Sequence, residues 1–128
     1  MSSDPASRPN GASVLTAACP SRQALALIAG KWALLVIPAL DNGPLRNGEL
    51  LRRIGGISQK VLSQTLKDLE RNGLVIRADL ASKPLHVEYR LSELGRSLSS
   101  ALIVVDRWAE THHAALAEAR RQFDDRLG

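Results

Sequence analysis

Apolar and polar positions divide the chain into stretches of different period. Residues 1–18 are rich in Ser, Pro, Gly and Ala and carry no apolar repeat, which predicts a disordered tail with structure beginning near Cys19. Pro20 suits the first position of a helix, where its missing N–H has no intrahelical partner. Ala24, Leu25, Leu27 and Ile28 then supply an apolar face that ends at Gly30. A second helix begins at Lys31. Trp32, Leu34, Leu35, Val36, Ile37 and Leu40 make it apolar nearly all round, the pattern of a buried helix, and Asn42, Gly43 and Pro44 stop it. Pro38 inside this run predicts a kink or an early end, because it removes one backbone donor.

A short amphipathic helix follows over Asn47–Arg53, with Leu50, Leu51 and Ile54 apolar against exposed Glu49, Arg52 and Arg53. Gly55 and Gly56 force a turn, and Ser58 is placed to cap a further helix that runs to Asn72, with Gly73 as its left-handed stop. In that helix Val61, Leu62, Leu66 and Leu69 face inward, while Gln59, Lys60, Ser63, Gln64, Lys67 and Arg71 share the opposite face. Beyond Gly73 the period becomes two: Leu74, Ile76 and Ala78 point one way and Val75, Arg77 and Asp79 the other. A turn over residues 81–84 leads to a second strand in which Val87, Tyr89 and Leu91 alternate with His86, Glu88 and Arg90, giving a hairpin with a basic tip.

Ser92 caps the last helix. Its apolar positions Leu94, Leu98, Leu102, Val105, Ala109, His112, Leu116, Ala119 and Phe123 recur over about eight turns, more than one small domain can cover. Residues 101–105 are apolar on several faces, as expected if one side packs on the domain and another on a second chain. Leu98, Leu102, Val105, Ala109 and Leu116 are the expected homodimer interface. The fold class expected is mainly α with a small β-hairpin wing: a winged helix-turn-helix over residues 19–91 and a long C-terminal dimerisation helix over 92–128.

Aromatic residues make up only 3% of the chain, so its core is aliphatic. The net charge of +4 is unevenly placed: residues 46–91 hold nine basic and five acidic side chains, whereas 92–128 hold five and six. The surplus lies where the helix-turn-helix and wing fall, which favours a polyanion partner. A helix capped at Ser58 can place its first turns in a major groove, where Gln pairs with adenine, Lys donates to guanine and Ser serves either. Ser58, Gln59, Lys60, Ser63 and Gln64 are therefore candidate base readers, and Lys67, Arg71, Arg46, Arg52 and Lys83 candidate phosphate contacts of double-stranded DNA. The rival reading is a winged helix whose polar face meets a protein.

No catalytic signature is present: Gly30-Lys31 lacks the rest of a phosphate loop, and neither a zinc-protease nor a nucleophile-elbow motif occurs. His112 and His113 are adjacent on a helix and point about 100° apart, so they cannot chelate one metal from the same face; no cofactor or metal is expected. The single cysteine, Cys19, excludes an intramolecular disulfide and suits a reducing compartment. Residues 16–19 lack the preceding apolar segment of a lipoprotein leader, and no run reaches the roughly 18 apolar residues of a membrane span, so the expectation is a cytoplasmic protein. At the start of a helix and near Arg22, Cys19 fits a reactive thiolate; in an apolar setting it would be an inert, buried thiol.

The residues that carry a family likeness are Cys19-Pro20, Gly30-Lys31-Trp32, Gly43-Pro44, Gly48-Glu49-Leu50, residues 56–62 (Gly-Ile-Ser-Gln-Lys-Val-Leu), Leu69-Glu70, Gly73-Leu74-Val75, residues 87–91 (Val-Glu-Tyr-Arg-Leu) and Leu94-Gly95. In this order they resemble the HxlR-type regulators, relatives of the MarR group, from Cys19 to about His112. The resemblance implies a homodimer joined by its terminal helices, each winged domain reading half of a near-palindromic operator, most simply as a repressor. It also implies a possible sensing role for Cys19, because some relatives respond to oxidants or electrophiles through an amino-terminal cysteine. The chain departs from the family at Asn47, where an aromatic residue is frequent, at Pro38, and in the wing segment of residues 83–86.

Overall fold

The computed structural model describes residues 20–28, 30–80 and 86–128, so Cys19, the amino-terminal tail, Lys83 and the hairpin tip lie outside the described residues. Five helices and three strands follow in order: α1 (Pro20–Ile28), α2 (Lys31–Ala39), β1 (Leu45–Arg46), α3 (Asn47–Arg53), α4 (Gln59–Arg71), β2 (Val75–Leu80), β3 (His86–Leu91) and α5 (Glu93–Leu127). Helix α2 holds the centre. Its Val36 and Ile37 are fully buried and join Leu50, Ile54, Leu62, Leu66, Leu69, Val75, Leu91 and Leu102 in one aliphatic cluster. Pro38 acts as an early stop: α2 ends one residue later, and its last turn tightens through bonds from the Leu40 N–H to the Ile37 carbonyl and from the Asp41 N–H to the Pro38 carbonyl.

The sheet is antiparallel in the order β1-β3-β2. The hairpin strands pair from Val75 with Leu91 to Leu80 with His86, and the two-residue β1 adds Leu45 opposite Tyr89. Strand β2 begins at Val75, one residue after the alternation does. Leu74 is buried before the strand starts, and it is Val75 that packs inward beside Leu91, while Ile76 on the other face is 37% exposed. The reason lies in the chain reversal at the end of α4. Gly73 adopts φ +76°, the left-handed conformation that a side chain resists. The Leu74 N–H then reaches the Leu69 carbonyl at 2.9 Å and the Gly73 N–H the Glu70 carbonyl at 3.0 Å, so Leu74 belongs to the helix stop.

Helix α5 is docked by its first three turns. The Ser92 hydroxyl accepts from the Gly95 N–H at 3.0 Å, while the Ser92 backbone N–H donates to the Leu74 carbonyl at 3.0 Å. A Cβ on Gly95 would stand 2.1 Å from that same carbonyl oxygen, so only glycine lets α5 approach this closely. Ser99 is fully buried and donates to Asp41 Oδ1 at 2.9 Å, tying α5 to the end of α2. Gly95→Ala should cost about 3 kcal/mol, since the obstacle is backbone that cannot swing away. Gly55→Ala, where an added Cβ meets nothing within 4 Å, should change stability by less than about 0.5 kcal/mol. Urea unfolding of both variants reads the difference, and equal stabilities would refute the close approach.

Candidate nucleic-acid interface

The exposed face of α4 is set by its buried one. Leu62, Leu66 and Leu69 are all but inaccessible, which rotates Gln59, Lys60, Ser63, Gln64, Lys67 and Arg71 outward over 13 residues. Ser58 stands in extended backbone, and its hydroxyl accepts from the Val61 N–H at 3.2 Å, fixing where the helix begins. Ile57 just before the cap and Leu62 on the first turn lie in the same core, which fixes the angle of entry.

Arg46 lies in β1 immediately before α3. Its backbone N–H donates to Glu49 Oε1 at 2.9 Å, and its guanidinium Nη2 lies 3.1 Å from Nε2 of His86, at the start of β3. This joins the helix-turn-helix to the hairpin through a cation. Arg52 is exposed in the last turn of α3, but its guanidinium folds back so far that a Cβ on Gly48 would lie 3.5 Å from Nη1. Arg46 and Arg52 are thus brought to the same end of α3. On the hairpin, Arg77 pairs with Asp79 at 3.1 Å, and its guanidinium is held further in the charged form by a hydrogen bond to Tyr89 and then by Asp79.

Sequence reasoning marked Asn47 as a departure from the family pattern but gave it no place in the site. It joins α3 to α4 through a reciprocal amide pair: Asn47 Nδ2 donates to Gln59 Oε1 at 2.6 Å and Gln59 Nε2 donates to Asn47 Oδ1 at 3.1 Å. Gln59 Nε2 also donates to Ser63 Oγ at 2.8 Å, and Gln64 Nε2 to Asp68 Oδ1 at 3.1 Å. Twelve residues separate Asn47 from Gln59, and no sequence period links them.

The candidate dimer residues divide into two groups. Leu102 is 4% exposed and belongs to the core of its own chain, and Leu98 is partly buried against it, so these two positions already serve the fold. Leu102, expected at the homodimer interface, is buried within its own chain instead: in α5 the inward stripe is Gly95, Ser99 and Leu102. Val105, Ala109 and Leu116 are exposed, in company with Val104, Trp108 and Phe123. Trp108 stacks on His112 with ring centroids 4.5 Å apart, and every residue from Arg107 onward is exposed in the single chain. The Asp106 carboxyl at the edge of this region is pushed up by burial and then by Glu110. Among the described residues no helix is long and apolar enough to cross a membrane.

A capped helix behind a short helix, followed by an antiparallel hairpin and a docked terminal helix, defines a winged helix-turn-helix protein of the transcription-regulator class. The chain belongs to the HxlR-like helix-turn-helix family, whose model matches residues 27–116. It is 39% identical over 92 residues to the helix-turn-helix-type transcriptional regulator YtfH of Escherichia coli, covering 72% of this chain and 73% of that one. It is similar to the structure of ytfH from Salmonella typhimurium, with a TM-score of 0.77 and 34% identity over 84% of this chain and 96% of the other. It is also similar to the redox regulator HypR in its reduced form, with a TM-score of 0.71 and 31% identity over 77% of this chain and 98% of that one. Loss of the α4 cap should be felt locally: Ser58→Ala should cost about 1 kcal/mol and speed hydrogen exchange in the first turn of α4 more than in its last. Uniform protection along α4 would contradict a fixed start at Ser58.

Proposed function

We propose that the chain is a sequence-specific regulator that binds double-stranded DNA as a homodimer, each α4 entering the major groove of half a near-palindromic operator, and that it represses by occupying that site. The observation that carries this reading is the face of α4, where Lys60, Lys67 and Arg71 accompany exposed Ser63 and Gln64 on a helix rigidly anchored by three buried leucines. Arg46 and Arg52 at one end of α3 are suited to the flanking phosphates, as is Lys83, which the sequence places between the two hairpin strands. Val105, Ala109 and Leu116 supply the two-fold contact along the free length of α5, because an exposed apolar stripe of this length is stable only when covered.

Footprinting on DNA around its own gene is the direct test, with protection expected as two half-sites about 34–36 Å apart or a multiple of that spacing. Binding that neutralises about six phosphates should weaken about a thousandfold between about 50 and 200 mM salt. Gln64→Ala should alter base preference, whereas Lys67→Ala should lower affinity for all sequences alike. Val105→Glu should yield monomers in sedimentation and lose operator affinity with them. A salt-independent, non-periodic footprint would reject the DNA reading, and a wild-type monomer would reject the dimer.

Kinship with HypR, a redox regulator, supports a second element of the proposal: Cys19, the single cysteine, as a sensor of oxidants or electrophiles. A quinone adduct or mixed disulfide at Cys19 should change operator affinity in the wild type and leave Cys19→Ser unaffected. Modified wild-type protein that binds DNA as before would dismiss the sensor.

A further inference from the structure

Gln59 has a side chain suited to pair with adenine, and it starts the helix proposed to enter the groove, yet the amide edge that would do so is already occupied. A primary amide has two N–H donors and one carbonyl acceptor. One hydrogen of Gln59 Nε2 goes to Asn47 Oδ1 at 3.1 Å and the other to Ser63 Oγ at 2.8 Å, while Gln59 Oε1 accepts from Asn47 Nδ2 at 2.6 Å. Pairing with adenine requires the carbonyl and one N–H of the same edge together, and that edge is the one facing Asn47. Gln59 could present it to a base only by giving up both bonds to Asn47.

Its neighbours on α4 keep free hydrogen-bonding capacity. Ser63 Oγ accepts from Gln59 and retains its own proton for an outward donor bond. Gln64 commits one N–H to Asp68 and keeps its carbonyl oxygen and second N–H. Lys60 is exposed.

We propose that Asn47 is a positioning residue for base recognition: it locks the Gln59 amide out of the set of direct readers, so that α4 reads its operator through Lys60, Ser63 and Gln64. This deepens the DNA-binding reading above and rests on it. The lock narrows specificity, because a freed Gln59 would add a contact to adenine that the wild-type protein does not make.

The test is selection from a pool of randomised half-sites by the full-length wild type and by Asn47→Ala, Asn47→Leu, Gln59→Ala and Asn47→Ala/Gln59→Ala. Leucine nearly matches asparagine in shape but cannot hydrogen-bond, so Asn47→Leu carries the test should the alanine variant fold poorly. Both Asn47 variants should gain a preference for A·T of about fivefold or more at one base pair of each half-site, the lower end expected for an amide–adenine pair. The gain should vanish when Gln59 is also replaced, and Gln59→Ala alone should select the same bases as the wild type. Loss of tight packing could not create a new preference that depends on Gln59. If Gln59→Ala erases an adenine preference present in the wild type, or the Asn47 variants select as the wild type does, the lock is refuted. A wild type that enriches no sequence would remove the DNA-binding reading and the lock with it.

Discussion

Burial of α2 is the constraint on which the other elements depend. A nine-residue helix that buries Ala33, Val36 and Ile37 and packs Trp32 and Leu34 against the same cluster leaves only the face of Lys31 and Leu35 to water, and the rest of its circumference must be covered by neighbours in several directions. Those neighbours are α3, α4 and the root of α5, with the sheet closing the cluster through Val75 and Leu91. Each gives one apolar stripe to α2 and thereby fixes which of its own faces turns outward. The outward polar face of α4 and the bare apolar stripe of α5 are two results of the same packing.

Much of this was readable in the sequence because its signals are local. Ser58 and Ser92 stand where caps are required, Gly73 where a left-handed residue is required, and Leu62, Leu66 and Leu69 at helical spacing, and all act as their positions imply. The failures have a common physical origin. The two-residue β1 is too short to show a period and exists only because β3 offers it a partner. Alternation started the second strand one residue early, at Leu74, because a helix stop borrowed the first apolar residue of the apparent strand. Leu102 lies on a stripe that is continuous in sequence, but the domain consumes its first part and leaves the rest bare.

The candidate interface was legible to a similar depth. The polar face of α4 follows from its period, so its members could be named without coordinates. The state of each side chain could not, because the amide pair of Asn47 and Gln59 joins different helices and depends on how α2 sets them side by side. Cys19 and Lys83 stand outside the described residues, and their roles rest on residue type and kinship.

The close seat of Gly95 against Leu74 also makes α5 a lever. From Leu102, where it leaves the core, to Leu127 the helix extends for about 38 Å at about 1.5 Å per residue. Its root is wedged against the Leu74 backbone and tied by Ser99 to Asp41 just beyond α2, so the shaft is seated on the domain that carries α4. A swing of about 10° at that root carries the far end through about 7 Å, on the order of a full helical pitch. In the proposed homodimer, run in reverse, the same leverage means that a small change in how two such shafts cross would move the two α4 helices by several ångströms relative to one another. The glycine that permits a tight fold is thus the fulcrum through which remote motion would reach α4.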